Sequence, residues 1–125
     1  MTAQGESDIF ILKLDPNGQF LWSKSIGGTS FDYANDIKID GNGDVFITGV
    51  FRNTVDFDPG TSTHNLTSNG QYDVFVLKMD QSGNHIWSTS FGGGGYDYGN
   101  KIDVDSFGNI WVCLLYTSPS PRDDR

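Results

Sequence analysis

The stretch GESDIFILKLDPNGQFLWSKSIGG, residues 5–28, decides the fold because the chain contains it twice. Residues 70–93 have the sequence GQYDVFVLKMDQSGNHIWSTSFGG, and the match extends without a gap from residues 2–47 onto residues 67–112 at an offset of 65. Nineteen of these 46 residue pairs are identical. A fixed, ungapped period is the mark of a repeat protein, so we interpret the chain as one structural unit copied.

Each copy contains four runs that are typical of β-strands, because they are rich in β-branched and aromatic residues and are bounded by polar turns. The run DIFILKL, residues 8–14, has apolar side chains on both of its faces, so we expect it to lie in a sheet that is covered on both sides. The predicted strands are 8–14, 20–26, 35–39 and 45–51 in the first copy, and 73–79, 85–91, 100–104 and 110–112 in the second.

Four connections follow one rule, Asp-x-x-Gly, at residues 15–18, 40–43, 80–83 and 105–108. The Asp side chain accepts hydrogen bonds from turn amides, and Gly takes the positive φ angle of a short hairpin. Because successive strands are antiparallel, we expect all four hairpins at one end of the sheets. The Gly-Gly loops and the segment 52–72, to which we assign no strand, belong at the other end.

The composition excludes several classes of function. The chain has 16 acidic and 8 basic residues, a formal net charge of −8, which argues against binding to nucleic acid. Its apolar runs are too short for insertion into a membrane. One cysteine allows neither an intrachain disulfide nor a Cys-based zinc site. A single Glu and many Gly and Asp residues argue against a helical fold.

These motifs resemble the seven-bladed beta-propeller repeat (SBBP repeat) family of bacterial secreted and surface proteins. The resemblance covers residues 2–112 and implies an all-β fold, a β-propeller fragment of four-stranded antiparallel blades with about two blades' worth of strands, not closed. It also implies an extracellular or cell-surface location. The residues of the first copy that carry it are Asp8, Ile9, Phe10, Lys13, Asp15, Gly18, Trp22, Gly27, Gly28, Asp32, Tyr33, Asn35, Ile37, Asp40, Gly43 and Gly49.

Propeller strand order divides residues 1–112 into three parts. Residues 1–33 would form the outer half of a first blade, residues 34–91 one complete blade, and residues 92–112 the inner half of a third blade. We expect the open strand edges of the half blades to promote association of the chain. We also expect the complete blade to be partly uncovered, which would expose Phe75 and Leu77.

Residues 113–125, CLLYTSPSPRDDR, break the repeat and match the first copy only at Asp123. The segment CLLYTSPSPRD resembles a translated sequencing-adapter artefact. We therefore predict that 113–125 is a non-native tail that contributes little to the core. A genuine Ser/Pro-rich linker is the alternative interpretation.

Two segments are candidates for binding a cation. The loop DGNGD holds Asp40, Asn42 and Asp44 but lacks the Gly and Glu that a calcium loop has at its sixth and twelfth positions. The segment VDFDPG holds Asp56 and Asp58 and is also explained as a solvated turn. Hairpin and turn chemistry account for both segments, so we predict no metal site and no cofactor.

Other residues of possible chemical interest have structural explanations. His85 replaces Phe20 of the first copy, so an imidazole is not required there, and no nucleophile elbow accompanies His64. Trp22 and Trp87 occupy equivalent positions and are expected to be largely buried between blades.

The chain is therefore predicted to be a non-catalytic β-propeller repeat module with a binding or scaffold role. Its partner would be a protein or a glycan on the long-loop side. The alternatives are a fragment of a propeller enzyme, quinoprotein-like or glycan-active, and a calcium-stabilised adhesin array.

Overall fold

The computed structural model describes residues 8–28, 32–69, 71–92 and 97–116. In this part of the chain there are ten strands and no helix, so the predicted all-β fold is confirmed. The strands are β1 Ile9–Leu14, β2 Phe20–Gly28, β3 Asp32–Ile39, β4 Val45–Phe51, β5 Thr54–Asp56, β6 Asn65–Thr67, β7 Asp73–Met79, β8 His85–Phe91, β9 Asp97–Val104 and β10 Ile110–Tyr116.

The strands form three antiparallel sheets that do not close into a barrel. A central four-stranded sheet has the order β3-β4-β7-β8, a second has the order β1-β2-β5-β6, and β9 pairs with β10. These sheets fit the predicted propeller fragment. The division of the chain into half, whole and half blades stays a prediction.

The four Asp-x-x-Gly turns are tight hairpins, as predicted. In each, the Gly N–H donates to the Asp carbonyl oxygen at 2.9 to 3.1 Å, and the Gly φ angle lies between 82° and 87°. The Asp Oδ1 atom accepts the N–H groups two and four residues later at 2.8 to 2.9 Å. Each turn is thus specified by its own sequence. The residues are Asp15 with Gly18, Asp40 with Gly43, Asp80 with Gly83, and Asp105 with Gly108.

The central sheet is covered on both faces. One face, which includes Phe75 and Leu77, packs on the β1-β2-β5-β6 sheet. The other face packs Phe46 and Val76 against Ile102 of β9. The expectation that Phe75 and Leu77 are exposed is wrong, since both side chains are 0% exposed. The half sheet of β1 and β2, extended by β5 and β6, is wide enough to cover them.

The segment 52–72 contains two short strands that the sequence analysis did not assign. β5 pairs with β2 through Gly27↔Asp56 and Gly28↔Val55, and β6 pairs with β5. Three-residue strands fall below the length at which alternation is recognisable. Val55 is nevertheless 1% exposed, so burial of a single alternating side chain fixes the register.

The last strand extends beyond its predicted end at Val112, because β10 continues to Tyr116 and pairs with β9 back to Asp97. Strand pairing uses backbone groups, so the loss of sequence similarity at residue 113 does not end the ladder. The proposed non-native origin of 113–125 stays a prediction. Residues 117–125, and residues 29–31 and 93–96 of the Gly-Gly loops, lie outside the described part.

Trp22 and Trp87 lie at equivalent positions on β2 and β8, and each is partly buried and packed against a core cluster. Trp22 packs on the β1-β2 side of the core, and its Nε1–H donates to the Gln81 carbonyl oxygen at 3.2 Å. Lys13 Nζ donates to the same oxygen at 3.1 Å. These contacts place the 80–83 turn beside the turn-proximal ends of β1 and β2.

Candidate binding surface

The β5–β6 hairpin leaves the central sheet after β4 and crosses to the outer edge of β2. Its base is closed by a pair of hydrogen bonds: Asn53 N–H donates to Ser68 Oγ at 3.0 Å, and Ser68 N–H donates to the Asn53 carbonyl at 3.0 Å. The Thr54 and Thr67 hydroxyls lie 2.8 Å apart across the two strands. The hairpin therefore joins two sheets and is tied at its base.

Phe57 anchors the loop that connects β5 and β6. Its ring is 0% exposed and lies 4.8 Å from the Phe75 ring and 5.3 Å from the Phe51 ring, measured between centroids. Burial of a whole aromatic ring supplies enough free energy to hold a short hairpin in place. The position of the loop is consequently fixed by the core.

Asp56 and Asp58, which were candidate cation ligands, shape this loop. Asp56 Oδ1 accepts the Asp58 N–H at 3.0 Å and the His64 N–H at 2.8 Å, and Asp58 Oδ1 accepts the Gly60 N–H at 2.8 Å. The Phe57 N–H donates to the His64 carbonyl at 2.8 Å. The carboxylates therefore act as turn acceptors.

The other candidates, Asp40, Asn42 and Asp44, form the 40–43 hairpin. Asp40 Oδ1 accepts the N–H groups of Asn42 and Asp44, each at 2.9 Å, and Asp44 Oδ2 lies 3.7 Å from Lys78 Nζ. Across the described ranges, no group of three or more His, Cys, Asp or Glu side chains is placed to hold a metal ion.

The structure brings together two histidines that are far apart in the sequence. The rings of His64, in the loop, and His85, on β8, have centroids 4.8 Å apart and planes inclined by 34°. His85 Nε2 lies 3.0 Å from Ser88 Oγ. Burial lowers the pKa of His85, and the neighbouring His64 lowers it further, while Asp58 and Asp56 act in the opposite direction.

The exposed tip of the hairpin, residues 60–64, and the adjacent His85 form what we call the tip surface. His85 pairs with Met79 beside the 80–83 turn, so the expectation that the whole segment 52–72 lies at the end opposite the tight hairpins is wrong. It presents hydroxyls from Thr61, Ser62 and Thr63 next to the imidazole pair. Such a surface can donate and accept hydrogen bonds and can stack on a flat ligand group. The pairing of His64 with His85 has no signal in the sequence, because only the fold of the hairpin joins them.

Residues of the repeated sequence motifs lie close together where β5 of the hairpin pairs with β2. The Asp8 carboxylate contacts Gly27, and the Gly28 N–H donates to Asp32 Oδ2 at 3.1 Å. Asp32 is 1% exposed, and burial raises its pKa to about 6, with a further increase from the Asp8 carboxylate. A side chain at Gly27 or Gly28 would collide with Asp8 or with the Thr54 carbonyl, so glycine is required for this approach.

Residues 86–113 match the Beta-propeller repeat (SBBP) family. The match covers nearly all of β8, the whole of β9 and the first part of β10. The resemblance predicted from the sequence is confirmed over these residues.

Two relatives match nearly the whole chain. An uncharacterized WD repeat-containing protein of Acanthamoeba polyphaga mimivirus is 30% identical over 90% of this chain and 10% of its own length. The regulatory protein FlaEY of Caulobacter vibrioides is 27% identical over 87% of this chain and 11% of its own length. The chain thus spans about a tenth of the length of these relatives. Within the described residues, no helix is long and apolar enough to cross a membrane.

Proposed function

We propose that this beta-propeller repeat chain is a non-catalytic binding or scaffold module of a secreted or cell-surface bacterial protein. The tip surface, residues 60–64 with His85, would contact the partner, which is a protein or a glycan. The partner side would be the end of the central sheet that carries the 80–83 turn, because His85 is the first residue of β8 after that turn and pairs with Met79.

The observation that carries this proposal is that the fold holds the β5–β6 hairpin in place while leaving its tip exposed. Its strands pair with a neighbouring sheet and its Phe57 ring is buried, while residues 60–64 remain exposed. Loops that are held by a rigid scaffold and present polar side chains are where binding residues concentrate. Residues 61–63 contribute three hydroxyls in succession, a composition suited to hydrogen bonding with a polar partner.

Two further observations support a module without catalysis. The side chains of Asp40, Asp56 and Asp58 accept backbone N–H groups of their own turns, which is a structural use of a carboxylate. The relatives carry the names of a repeat-containing protein and a regulatory protein rather than that of an enzyme.

The test is binding of the purified chain to an array of immobilised bacterial and host polysaccharides and purified cell-surface proteins. The triple variant Thr61→Ala/Ser62→Ala/Thr63→Ala should lose at least about tenfold in affinity, since each lost hydrogen bond contributes roughly 0.5–1.5 kcal/mol. Ser106→Ala, an exposed serine in the hairpin of the separate β9–β10 sheet, is the matched control and should bind as the parent chain does.

Absence of any binding by the parent chain would contradict the proposal. A loss of affinity in the control variant equal to that in the triple variant would also contradict it. Repeating the measurement with calcium and with a chelator separates the adhesin alternative, because the proposal predicts the same affinity in both. The proposed location is checked by fractionating cells that produce the full-length protein. Recovery in the cytosol alone would contradict it.

A further inference from the structure

We propose that the chain associates head to tail. In this arrangement, Trp111 of one copy enters a cavity between β1 and β3 of a second copy, and β10 of the first pairs with β1 of the second. The interface would complete a four-stranded sheet, β9-β10-β1-β2, in the order that the central sheet already shows.

The acceptor is an apolar cavity of about 360 Å³ that opens between β1 and β3. Its apolar lining includes Ile11, Trp22, Ile37, Ile39 and Val45. Ile37 is 49% and Ile39 58% exposed, whereas Ile102, the repeat counterpart of Ile37, is 2% exposed. Exposed apolar area of this kind marks a site of association.

The internal repeat shows what belongs in this cavity. On the opposite face of the central sheet, the Phe46 ring is buried in a cluster with Val76, Ile102, Trp87, Val104 and Ile110. Counting back 65 residues from those five neighbours gives Ile11, Ile37, Trp22, Ile39 and Val45, all of which line the cavity. The cavity is therefore the first-copy counterpart of the pocket around Phe46, without the aromatic ring.

The residue that corresponds to Phe46 in the repeat is Trp111, and its side chain is 65% exposed. Lys78 Nζ lies over the Phe46 ring at 5.2 Å, and the Trp87 ring meets Phe46 edge to face at 6.4 Å. The corresponding residues, Lys13 and Trp22, both line the cavity. They are placed to contact an inserted Trp111 in the same way, and tryptophan is the preferred ring for a cation.

Strand pairing gives the register of this interface. Phe46 lies opposite Lys78 and Val45 opposite Met79 where β4 pairs with β7. At the equivalent positions of the other copy, these pairs would be Trp111 opposite Lys13 and Ile110 opposite Leu14. In the part of the chain that the structure describes, β1 pairs with β2 alone and β10 with β9 alone, so both edges offer backbone groups for pairing.

The donor and acceptor surfaces lie on different parts of the chain, so the contact is heterologous and each copy can bind one neighbour at each end. Each chain carries a formal net charge of −8, which opposes association at low ionic strength. Raising the salt concentration to about 0.15 M screens that repulsion beyond roughly 8 Å and strengthens the assembly.

Light scattering combined with size-exclusion chromatography tests the proposal over a range of protein concentrations. The parent chain should show a mass that rises above the 13.8 kDa of one copy as concentration rises. Trp111→Ala removes the donor and Ile37→Asp blocks the acceptor, so each variant should stay at the mass of one copy. Phe107→Ala is the matched control, because Phe107 is 90% exposed and lies outside the interface.

Mixing the two variants gives the sharpest result. Trp111→Ala keeps an intact cavity and Ile37→Asp keeps an intact Trp111, so the mixture should form a one-to-one dimer and nothing larger. Circular dichroism checks that both variants retain the β-sheet spectrum of the parent. A parent chain of 13.8 kDa at all concentrations overturns the proposal, as does association of Trp111→Ala equal to that of the parent.

Discussion

β1 and β7 have nearly the same sequence but lie in different surroundings. On one face the two strands agree, since Ile9 and Ile11 are 4% and 7% exposed and their counterparts Val74 and Val76 are 0% and 2% exposed. On the other face they differ completely. The exposed fractions are 43%, 54% and 48% for Phe10, Leu12 and Leu14, against 0% for Phe75, Leu77 and Met79.

The difference shows that the exposure of a strand's side chains in a repeat protein depends on the neighbouring repeat as much as on the strand's own sequence. The outer face of β7 is covered by the β1-β2-β5-β6 sheet, whereas the described residues place no sheet on the corresponding face of β1. Stability in such proteins is a sum of terms within a unit and terms between units. Because the two copies have similar sequences but different neighbours, comparing them separates the within-unit terms from the between-unit terms in a single chain.

The largest expected effect is a contrast between Phe75→Ala and Phe10→Ala. Phe75 is fully buried against Phe57 and Phe51, so its truncation should lower the free energy of unfolding by about 3–5 kcal/mol. Phe10 occupies the same repeat position on the open face, and its truncation should cost less than about 1 kcal/mol. Urea unfolding of both variants, at concentrations where the chain is monomeric, measures the contrast. Equal losses would mean that the two faces are covered alike.

Asp32→Asn should change stability by a smaller amount, with a defined pH dependence. Burial raises the pKa of Asp32 to about 6 from its usual 3.8, so the folded state favours the neutral acid. The stabilisation from its protonation is complete below about pH 4 and is lost as pH rises through 6. An asparagine keeps the acceptor for the Gly28 N–H and should raise the free energy of unfolding at pH 7 by on the order of 2 kcal/mol.

Thermal unfolding of both proteins between pH 4 and 7 checks this prediction. Asp80→Asn is a control of opposite sign, because the Asn84 N–H lowers the pKa of Asp80 and its contribution is lost as pH falls. A variant of Asp32 that is less stable than the parent at pH 7 would show that the charged carboxylate stabilises the junction of β2 with β3.

The smallest expected effect comes from His85→Phe, which gives the second copy the residue of the first copy at Phe20. Burial and His64 lower the pKa of His85 below its usual 6.5, so its contribution is present above that pH and lost as pH falls below it. The parent should therefore lose more melting temperature than the variant between pH 7 and 5. If the melting temperatures of the parent and the variant fall equally between pH 7 and 5, the stacking of His64 on His85 does not oppose protonation of His85.

The sequence predicted the features of this fold that are encoded locally. The Asp-x-x-Gly hairpins appeared as predicted, because the Asp side chain and the Gly φ angle act within five residues of the chain. The long strands were predicted from alternation and composition. The β5–β6 hairpin was missed, since Val55 and Phe57 are only two buried positions in a polar segment, and their burial depends on a sheet built from another repeat.

The candidate surface was predictable only in part. Asp56 and Asp58 were singled out from their spacing, and the structure places both in the loop that forms the tip surface. Their role as turn acceptors and the stacking of His64 on His85 depend on how the hairpin crosses between sheets. Likewise, Trp111 is exposed because no sheet formed by the described residues covers it, which its own sequence context does not reveal.

Hydrogen exchange resolved by residue tests the central claim most directly, namely that strands of nearly the same sequence differ because their neighbours differ. It is best measured on the Trp111→Ala variant, in which association is removed. β7 pairs with β4 on one side and β8 on the other, so its amides should all exchange slowly. β1 pairs only with β2 in the described part, so alternate amides should exchange rapidly. Equal protection along β1 and β7 would contradict the account.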